Sequence, residues 1–419
     1  MWRPGHARAR LQEIKRRMRT RFTWIVGILV LAAIGLLMAC SNKYTSTYNG
    51  LVVASTQGNA VMQSFSLNLG TGQTTTINNV NGPPTPGVAT AVLIDPAGNY
   101  AYVIVTQSST LPGSSTGIAS FQIASDGKLA YVSTFAMTNP IAMAMDSAGQ
   151  FLFVANGAEG TVTALSIGSG GTLTSAGLAT LPPQPGGQPA SASALAVTPT
   201  VFPVLYAPCS GHTAPTAEYL YVTDSLNNVL LDYSVSSSGA LALVTTSPPL
   251  GIATGTLPSG VTVDPCNRFA YVANGLSASV SAYTICTVVS LPNNCQNADY
   301  SLRPVIGSPY LAGDGAGPLV TDPYASFLYV LDTGKDAISA YQISAVSGAL
   351  TPLPTQPVAA NAFPTSMAVR SNKGSTSWLF VANSNQATIS EYAITPATGA
   401  LTPQPAIQSF NQPWGVAVK

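Results

Sequence analysis

Charged side chains are scarce in this chain. Asp, Glu, Lys and Arg make up 7% of its 419 residues, whereas a typical soluble domain contains about 25%. This low charge density excludes a coiled coil, a charge-rich helical bundle and a polyelectrolyte tail. Histidine occurs only twice, so a histidine-rich metal site and a Ser-His-Asp triad have little to be built from.

The abundant residues are apolar side chains and turn formers. Hydrophobic residues account for 46% of the chain, which is enough for a sizeable core and excludes global disorder. The 37 glycines and 32 prolines follow no collagen period, so they indicate frequent turns. The length is compatible with one large all-β domain.

The charges are distributed unevenly. Residues 1–40 hold eight of the sixteen Lys and Arg residues, but one of the fifteen acidic residues. The remainder of the chain is therefore mildly acidic, and its few cations do not cluster. Because phosphate contacts need clustered cations, we expect no nucleic-acid binding.

The N-terminal segment has the features of an export signal. An uncharged stretch of 18 residues, 22–39, follows the basic region and ends directly before Cys40. This arrangement resembles a bacterial lipoprotein signal, in which that cysteine is lipidated and becomes the mature N-terminus. We predict a signal peptide over 1–39 with its true start at Met18, and a lipidated tether over 40–50. An uncleaved signal anchor is the alternative, and either form places the body in the bacterial cell envelope, on the periplasmic or surface side.

A short apolar strand recurs seven times along the rest of the chain. When the copies are aligned on a shared valine, the spacings are 50, 51, 68, 50, 58 and 51 residues. We interpret this as a period near 50 with two insertions. The aligned residues are Val53, Val103, Val154, Val222, Val272, Val330 and Val381.

Each repeat contains three further strand signals. A second strand carries an aromatic or leucine and an aliphatic residue two positions apart, as in Phe121 and Ile123, and a Gly-x-Leu turn such as that at Gly127 begins the third. A fourth strand, as in residues 140–146, precedes the shared valine, and turns such as the one at Asp95 join the two. Four strands in each of seven repeats predict a β-propeller.

We therefore predict an all-β fold over 51–419, a seven-bladed β-propeller with four-stranded antiparallel blades. The chain enters blade 1 without an inner strand and ends in residues 413–419, an inner strand that no further strand follows. This C-terminal strand should join blade 1 and close the ring, which removes exposed sheet edges.

The segments FLFVANG, YVANG and VSAYTI, with the Asp-Pro and Gly-x-Leu turns, resemble the seven-bladed lactonase-type propellers. That superfamily includes 6-phosphogluconolactonase-like proteins and the Tyr-Val-Thr-Asn repeat surface proteins. The resemblance covers residues 51–419. It implies that ligands bind on the face formed by the loops after each valine-bearing strand and by the links between blades.

Polar residues stand two positions after the shared valine in six of the seven repeats. One interpretation is a polar rim around the channel mouth; the other is turn chemistry, since Asn and Asp begin hairpin loops. Trp414 either adds a stacking surface or is a core aromatic. The ligand-face candidates are Asn156, Asp224, Asn274, Asp332, Asn383 and Trp414.

Catalytic residues are not assigned. Enzymes of the resembling family share a Gly-Pro-Arg-His segment and a Glu after a valine-bearing strand. The closest segment here is Gly-Pro-Leu-Val at 317–320, and Asp332 replaces the Glu. Lactone hydrolysis needs a base and a donor for the oxyanion, so we expect a lactonase-like propeller without that activity. We assign no cofactor and no metal ligands, and we interpret His212 as a solvated loop residue.

Four cysteines follow Cys40, and in an exported chain they form two disulfides with three alternative pairings. In the propeller topology, Cys209 and Cys266 lie in equivalent loops of neighbouring blades, whereas Cys286 and Cys295 bracket one loop of blade 5. We predict Cys209–Cys266 and Cys286–Cys295; reduced, buried thiols are the alternative.

We interpret the chain as a monomeric, lipid-anchored envelope protein whose propeller binds or scaffolds an envelope protein or a carbohydrate ligand. The alternatives are a hydrolase of a small carbohydrate lactone and a cell-surface adhesion module. Convergent polar side chains at the channel mouth would favour the enzyme, and a broad apolar face would favour a binding module.

Overall fold

The computed structural model describes residues 50–57, 60–78, 82–183, 187–200, 209, 217–244, 251–287, 295, 300–354, 357–371, 376–409 and 412–419. The predicted leader, Met18, Cys40 and His212 lie outside the described residues. In the described part of the chain, no helix is long and apolar enough to cross a membrane.

Seven antiparallel sheets follow one another along the chain, which confirms the predicted seven-bladed propeller. Blade 1 consists of β1 (Gly50–Thr56), β2 (Met62–Leu67), β3 (Thr74–Asn78) and the C-terminal β32 (Pro413–Val418). Blade 2 consists of β4 (Val88–Ile94), β5 (Tyr100–Thr106), β6 (Gly117–Ile123) and β7 (Leu129–Ala136). Blade 3 consists of β8 (Pro140–Met145), β9 (Phe151–Asn156), β10 (Thr161–Ile167) and β11 (Leu173–Thr180).

In blades 4 to 7 the outermost strand is split into two segments, which both pair with the third strand from the centre. Blade 4 consists of β12 (Ala192–Val197), β13 (Glu218–Asp224), β14 (Val229–Val235), β15 (Leu241–Leu243) and β16 (Ile252–Ala253). Blade 5 consists of β17 (Pro258–Val263), β18 (Phe269–Asn274), β19 (Ser279–Ile285), β20 (Leu302–Pro304) and β21 (Tyr310–Leu311).

The last two blades repeat this plan. Blade 6 consists of β22 (Ala316–Thr321), β23 (Phe327–Asp332), β24 (Ala337–Ile343), β25 (Leu350–Pro352) and β26 (Val358–Ala359). Blade 7 consists of β27 (Pro364–Ser371), β28 (Ser377–Asn383), β29 (Thr388–Ile394), β30 (Leu401–Pro403) and β31 (Ile407–Gln408), with a 3₁₀ helix at Ser384–Gln386.

The C-terminal strand closes the ring as the sequence predicts. β32 runs antiparallel to β1, with Ala417 opposite Val53. The Lys419 ammonium then donates to the Gly98 carbonyl of blade 2 at 3.1 Å. The end of the chain thus completes blade 1 and bonds it to blade 2.

The core consists of apolar layers between adjacent blades. The strand that carries the shared valine is the second from the centre, and in blades 1, 5, 6 and 7 every residue of this strand is buried. Between blades 7 and 1, for example, Trp378 and Phe380 pack with Phe65 and Val52. Because each sheet is covered on both faces, these strands are apolar throughout rather than alternating.

Aspartates close the turns that leave the inner strands. In four blades the carboxylate Oδ1 accepts hydrogen bonds from the backbone N–H groups four and five residues later, at 2.5–2.9 Å. This is the turn chemistry that Asp favours, since its side chain satisfies backbone donors locally. The residues are Asp95, Asp146, Asp264 and Asp322.

Candidate functional site

The strand pairing defines two faces of the propeller. Each inner strand begins where the neighbouring valine-bearing strand ends, so that Pro258 lies opposite Asn274. We call one of the two faces the linker face. It holds the starts of the inner strands, the links between blades and the loops after the valine-bearing strands. It contains the residues that the sequence proposes as ligand candidates.

The three asparagine candidates are buried and bonded within their own hairpins. Each is at most 5% exposed, and its amide group donates to hydroxyls five and seven residues later in the chain, at 2.9–3.3 Å. A hairpin is thereby tied at its turn in three blades. The pairs are Asn156 with Thr161 and Thr163, Asn274 with Ser279 and Ser281, and Asn383 with Thr388 and Ser390.

Asp224 serves a similar structural purpose in blade 4. Its Oδ1 accepts from the backbone N–H of Ser191 at 3.0 Å and of Leu226 at 3.1 Å. Its Oδ2 accepts from the Asn227 side chain at 2.6 Å. The carboxylate is fully buried, so it joins the link that enters the blade to the hairpin that follows.

Asp332 is the candidate whose carboxyl pKa is shifted by its surroundings. It is 1% exposed, and its carboxylate accepts from the Ser339 hydroxyl at 2.6 Å and from the Gly313 N–H at 3.0 Å. Burial raises the pKa of this carboxyl to about 6, against the opposing effect of both hydrogen bonds. Gly313 packs tightly here, because an added Cβ would lie 2.5 Å from the Asp332 carboxyl carbon.

The structure therefore distributes the polar candidates over five blades, and each binds partners of its own blade or the link that enters it. Turn chemistry accounts for their recurrence. Trp414 differs, because it is half-buried at the start of β32 on the linker face. Its ring centroid lies 6.1 Å from that of Phe363, at an interplanar angle of 51°.

Exposed apolar side chains on the linker face are a feature that the sequence analysis did not identify. Leu257 and Phe363 each precede the proline that opens an inner strand, and they are 45% and 49% exposed. Both have left-handed backbones, with φ of 57° and 59°. Bulky residues rarely adopt this conformation, and it costs about 1–3 kcal/mol. The Leu-Pro and Phe-Pro pairs at equivalent repeat positions are the signal that could have found them.

Three further apolar residues are exposed on this face. Leu226 and Leu276 lie in the hairpin loops of blades 4 and 5, where they are 58% and 73% exposed. Ile141, at the start of β8, is 47% exposed. We call Ile141, Leu226, Leu257, Leu276 and Phe363 the apolar rim.

The segment at 317–320 lies in inner strand β22. Leu319, which takes the position of arginine in the family segment, is 6% exposed and packs with Tyr271 and Val330 between blades 5 and 6. This position therefore contributes to the core. Among the described residues, no group of three His, Cys, Asp or Glu side chains is placed to hold a metal ion.

The opposite face contains both disulfides. Cys209 bonds to Cys266 with the Cα atoms 5.1 Å apart, and Cys286 bonds to Cys295 with the Cα atoms 5.3 Å apart. This is the pairing expected from the sequence. The first bond joins loops of blades 4 and 5, and the second closes a loop within blade 5.

A buried ion pair continues this connection into blade 6. The Arg268 Nε lies 2.7 Å from Asp264 Oδ2, and these side chains are 3% and 0% exposed. Another guanidinium nitrogen of Arg268 donates to the Ala325 carbonyl at 3.1 Å, and Asn267 donates to the Pro199 carbonyl at 2.6 Å. One loop of blade 5 is thus bonded to both of its neighbours.

A family model described as lactonase, 7-bladed β-propeller, matches residues 44–199 and 262–418. Together with the observed fold, this match shows that the chain belongs to the lactonase family of seven-bladed β-propellers. No curated protein sequence matches the chain significantly.

Solved structures share the fold at low identity. A proposed 6-phosphogluconolactonase from Bacteroides fragilis is 18% identical, with a TM-score of 0.65, and the match covers 90% of this chain and 99% of that one. The periplasmic gluconolactonase of Pseudomonas aeruginosa is also 18% identical with a TM-score of 0.65, covering 88% and 98%. At this identity the likeness establishes the architecture alone.

Proposed function

We propose that this protein is an exported binding module whose partner is held by the apolar rim of the linker face. The observation that carries this proposal is the pair Leu257 and Phe363. Each exposes a large apolar side chain from a left-handed backbone, at the same position in two blades. The same left-handed turn precedes two other inner strands, where the residues are the polar Asn139 and Gln412. Large exposed apolar side chains at this strained position therefore indicate a functional surface.

The buried polar candidates support the same proposal. The two carboxylates and the side-chain NH2 groups of the three asparagines are already bonded to their own blade or to the link that enters it. The amide oxygens of Asn156 and Asn383 have no partner among the described residues, but they are buried, so the face offers few accessible groups to a polar substrate. Apolar contacts would therefore supply most of the binding free energy, at about 25 cal/mol per Å² of buried surface. We propose an envelope protein as the partner. A carbohydrate that stacks on the aromatic pair Phe363 and Trp414 is the second candidate.

Export and membrane attachment are part of the proposal. Disulfides form in oxidising compartments, and the two in this chain support an extracytoplasmic location. We propose that lipidated Cys40 attaches a monomeric propeller to the membrane of the cell envelope. Nucleic acid is not proposed as a partner, because the body of the chain is acidic and its cations are scattered.

Membrane attachment is tested by expressing the full chain and its Cys40→Ser variant and separating the membranes. For a lipoprotein, mass spectrometry finds a diacylglyceryl group on the N-terminal peptide of the wild type. The variant lacks this group and is not cut at this position. Wild-type protein that keeps its uncut leader would identify a signal anchor instead.

The binding face is tested by photo-crosslinking in intact cells. A photoreactive residue is placed at Leu276 in the apolar rim, and a matched control replaces Leu178, which is 68% exposed on the outer strand β11 of blade 3. We expect a discrete adduct from position 276 that is missing at 178 and weakened by Phe363→Ser. Equal labelling from both positions would contradict the proposal.

Lactone hydrolysis is the second candidate, and one observation favours it. Burial raises the pKa of Asp332 to about 6, and a carboxyl with this pKa can serve as a base near neutral pH. The hydrogen bonds of this carboxylate argue against hydrolysis, because it already accepts from the Ser339 hydroxyl and the Gly313 N–H. Lactone hydrolysis by the wild type and by Asp332→Asn separates the two roles.

A further inference from the structure

A polar cavity lies at the outer seam between the last and the first blade. Its volume is about 630 Å³, and it is lined by residues of blades 1 and 7. Binding cavities for small molecules fall in the range of about 300–1,000 Å³. The cavity is separate from the linker face and from the disulfide-bonded loops.

Glu391 in β29 is the unusual residue of this cavity. It is 2% exposed, and its Oε1 accepts no hydrogen bond from any residue that the structure describes. A buried carboxylate without a partner is destabilising, so such groups are rare in the absence of a functional reason. Burial raises the pKa of Glu391 to about 7.

The repeat makes Glu391 more unusual. β29 is the third strand from the centre of its blade. In the equivalent strand of every blade, the residue directly before the aromatic residue or leucine is buried. It is small in most of the other blades, because the neighbouring blade covers it. The equivalent residues are Ser64, Ser120, Ala164, Asp232, Ala282 and Ala340.

The surrounding chain leaves space for this side chain. Gly72 has a left-handed backbone with φ of 76°, and an added Cβ there would lie 2.5 Å from Glu391 Oε1 and 2.5 Å from the Trp378 ring. The Trp378 indole N–H is already committed to the Leu69 carbonyl at 2.8 Å. The carboxyl therefore borders the cavity with a tryptophan edge and a bare glycine beside it.

The rest of the lining is polar and uncharged. Four threonines and three glutamines contribute to it, and among the described lining residues Glu391 is the only ionisable group. Hydroxyls and amides can both donate to and accept from a polyol. A single negative charge without a neighbouring cation disfavours phosphate and carboxylate ligands and favours an ammonium group.

We propose that this cavity binds a small polyhydroxylated amine, whose ammonium group pairs with Glu391 and whose hydroxyls bond to the threonine and glutamine side chains. Phe65 and Ile407, which also line the cavity, contact the carbon skeleton. The site is independent of the partner surface proposed above, because it lies on the outer side of the ring.

The test uses three probes of equal length that differ at one carbon: glucamine, sorbitol and gluconate. Binding to the full chain in detergent is measured by calorimetry at pH 8, where Glu391 is ionised. We expect glucamine to bind at least tenfold more tightly than sorbitol, and gluconate not to bind. Equal affinity for glucamine and sorbitol, or no binding of glucamine at millimolar concentration, would overturn the proposal.

Two variants locate the interaction. Glu391→Gln preserves the shape of the side chain and should weaken glucamine binding at least tenfold, whereas Asp126→Asn changes one surface charge of blade 2 and should leave it unaltered. Unchanged affinity in Glu391→Gln would refute the site.

A second readout depends on Glu391 itself. An ammonium ligand stabilises the ionised carboxylate, so glucamine should displace roughly one proton at pH 6 and almost none at pH 8.5. Calorimetry in buffers of different ionisation enthalpy measures this release. Affinity and proton release that do not change with pH would contradict the pairing.

Discussion

Replacing Glu391 with glutamine should change how the stability of the propeller depends on pH. A glutamic acid has an ordinary pKa of 4.5, and burial raises the pKa of Glu391 to about 7. The folded protein therefore favours the protonated form. The favourable contribution of this group is complete below pH 4.5 and is lost as the pH rises through 7.

The size of the effect follows from these two values. Ionising Glu391 in the folded state costs about 3 kcal/mol relative to the unfolded chain, at about 1.4 kcal/mol for each pH unit between the two pKa values. Glutamine does not ionise, so the variant lacks this cost. The free energy of unfolding of Glu391→Gln, relative to wild type, should therefore rise by about 3 kcal/mol between pH 4 and pH 8.

Urea unfolding followed by tryptophan fluorescence measures this difference at each pH. Other acids with raised pKa values, such as Asp332 and Asp322, are present in both proteins and cancel in the comparison. Asp126→Asn provides the control: the neighbouring Lys128 lowers the pKa of Asp126, so this pair of proteins should show no rise. A constant difference between Glu391→Gln and wild type from pH 4 to pH 8 would refute the reasoning.

Four further substitutions test other parts of the structure by urea unfolding. Cys209→Ser opens a 57-residue loop and should cost about 4 kcal/mol, whereas Cys286→Ser opens a 9-residue loop and should cost about 2.5 kcal/mol; the reverse order would contradict the loop-entropy account. Arg268→Met leaves the buried Asp264 carboxylate unpaired and should cost about 3–5 kcal/mol, and a cost below 1 kcal/mol would show that the pair is dispensable. Leu257→Asn relieves the left-handed backbone and should stabilise the fold by about 1 kcal/mol while weakening the crosslink from position 276; loss of stability would contradict the assigned strain.

The architecture was predictable because it repeats. Seven copies of one strand pattern fix the number of blades. The missing inner strand at the beginning of the propeller and the extra strand at its end determine the closure through β32. The disulfides followed from the same topology, since the loops that carry Cys209 and Cys266 occupy equivalent positions in adjacent blades.

The site was less predictable because sequence periodicity does not reveal which polar residues face solvent. Asn274 and its equivalents have the spacing of a binding rim, but their amides bond to hydroxyls of the next strand. The apolar rim depends on the left-handed backbones of Leu257 and Phe363, which the residue types alone do not indicate.

Glu391 is a second residue whose environment the sequence does not reveal. It stands in the strand Thr388–Ile394, next to Ser390, and from its residue type alone a glutamate in a strand is expected to face solvent. Its burial results from the packing of blade 1, which is adjacent to blade 7 only after the ring has closed. Comparing the blades position by position would have marked it, because the equivalent residues are mostly small.

The most direct test of the binding-module account is an assay for lactone hydrolysis. The full chain, purified in detergent, is incubated with a panel of sugar lactones that includes a phosphorylated one, and spontaneous opening is subtracted. Asp332→Asn is run in parallel. The account predicts no rate above background for either protein. Turnover by the wild type that the Asp332→Asn variant lacks would contradict it and establish a carboxylate-based active site on the linker face.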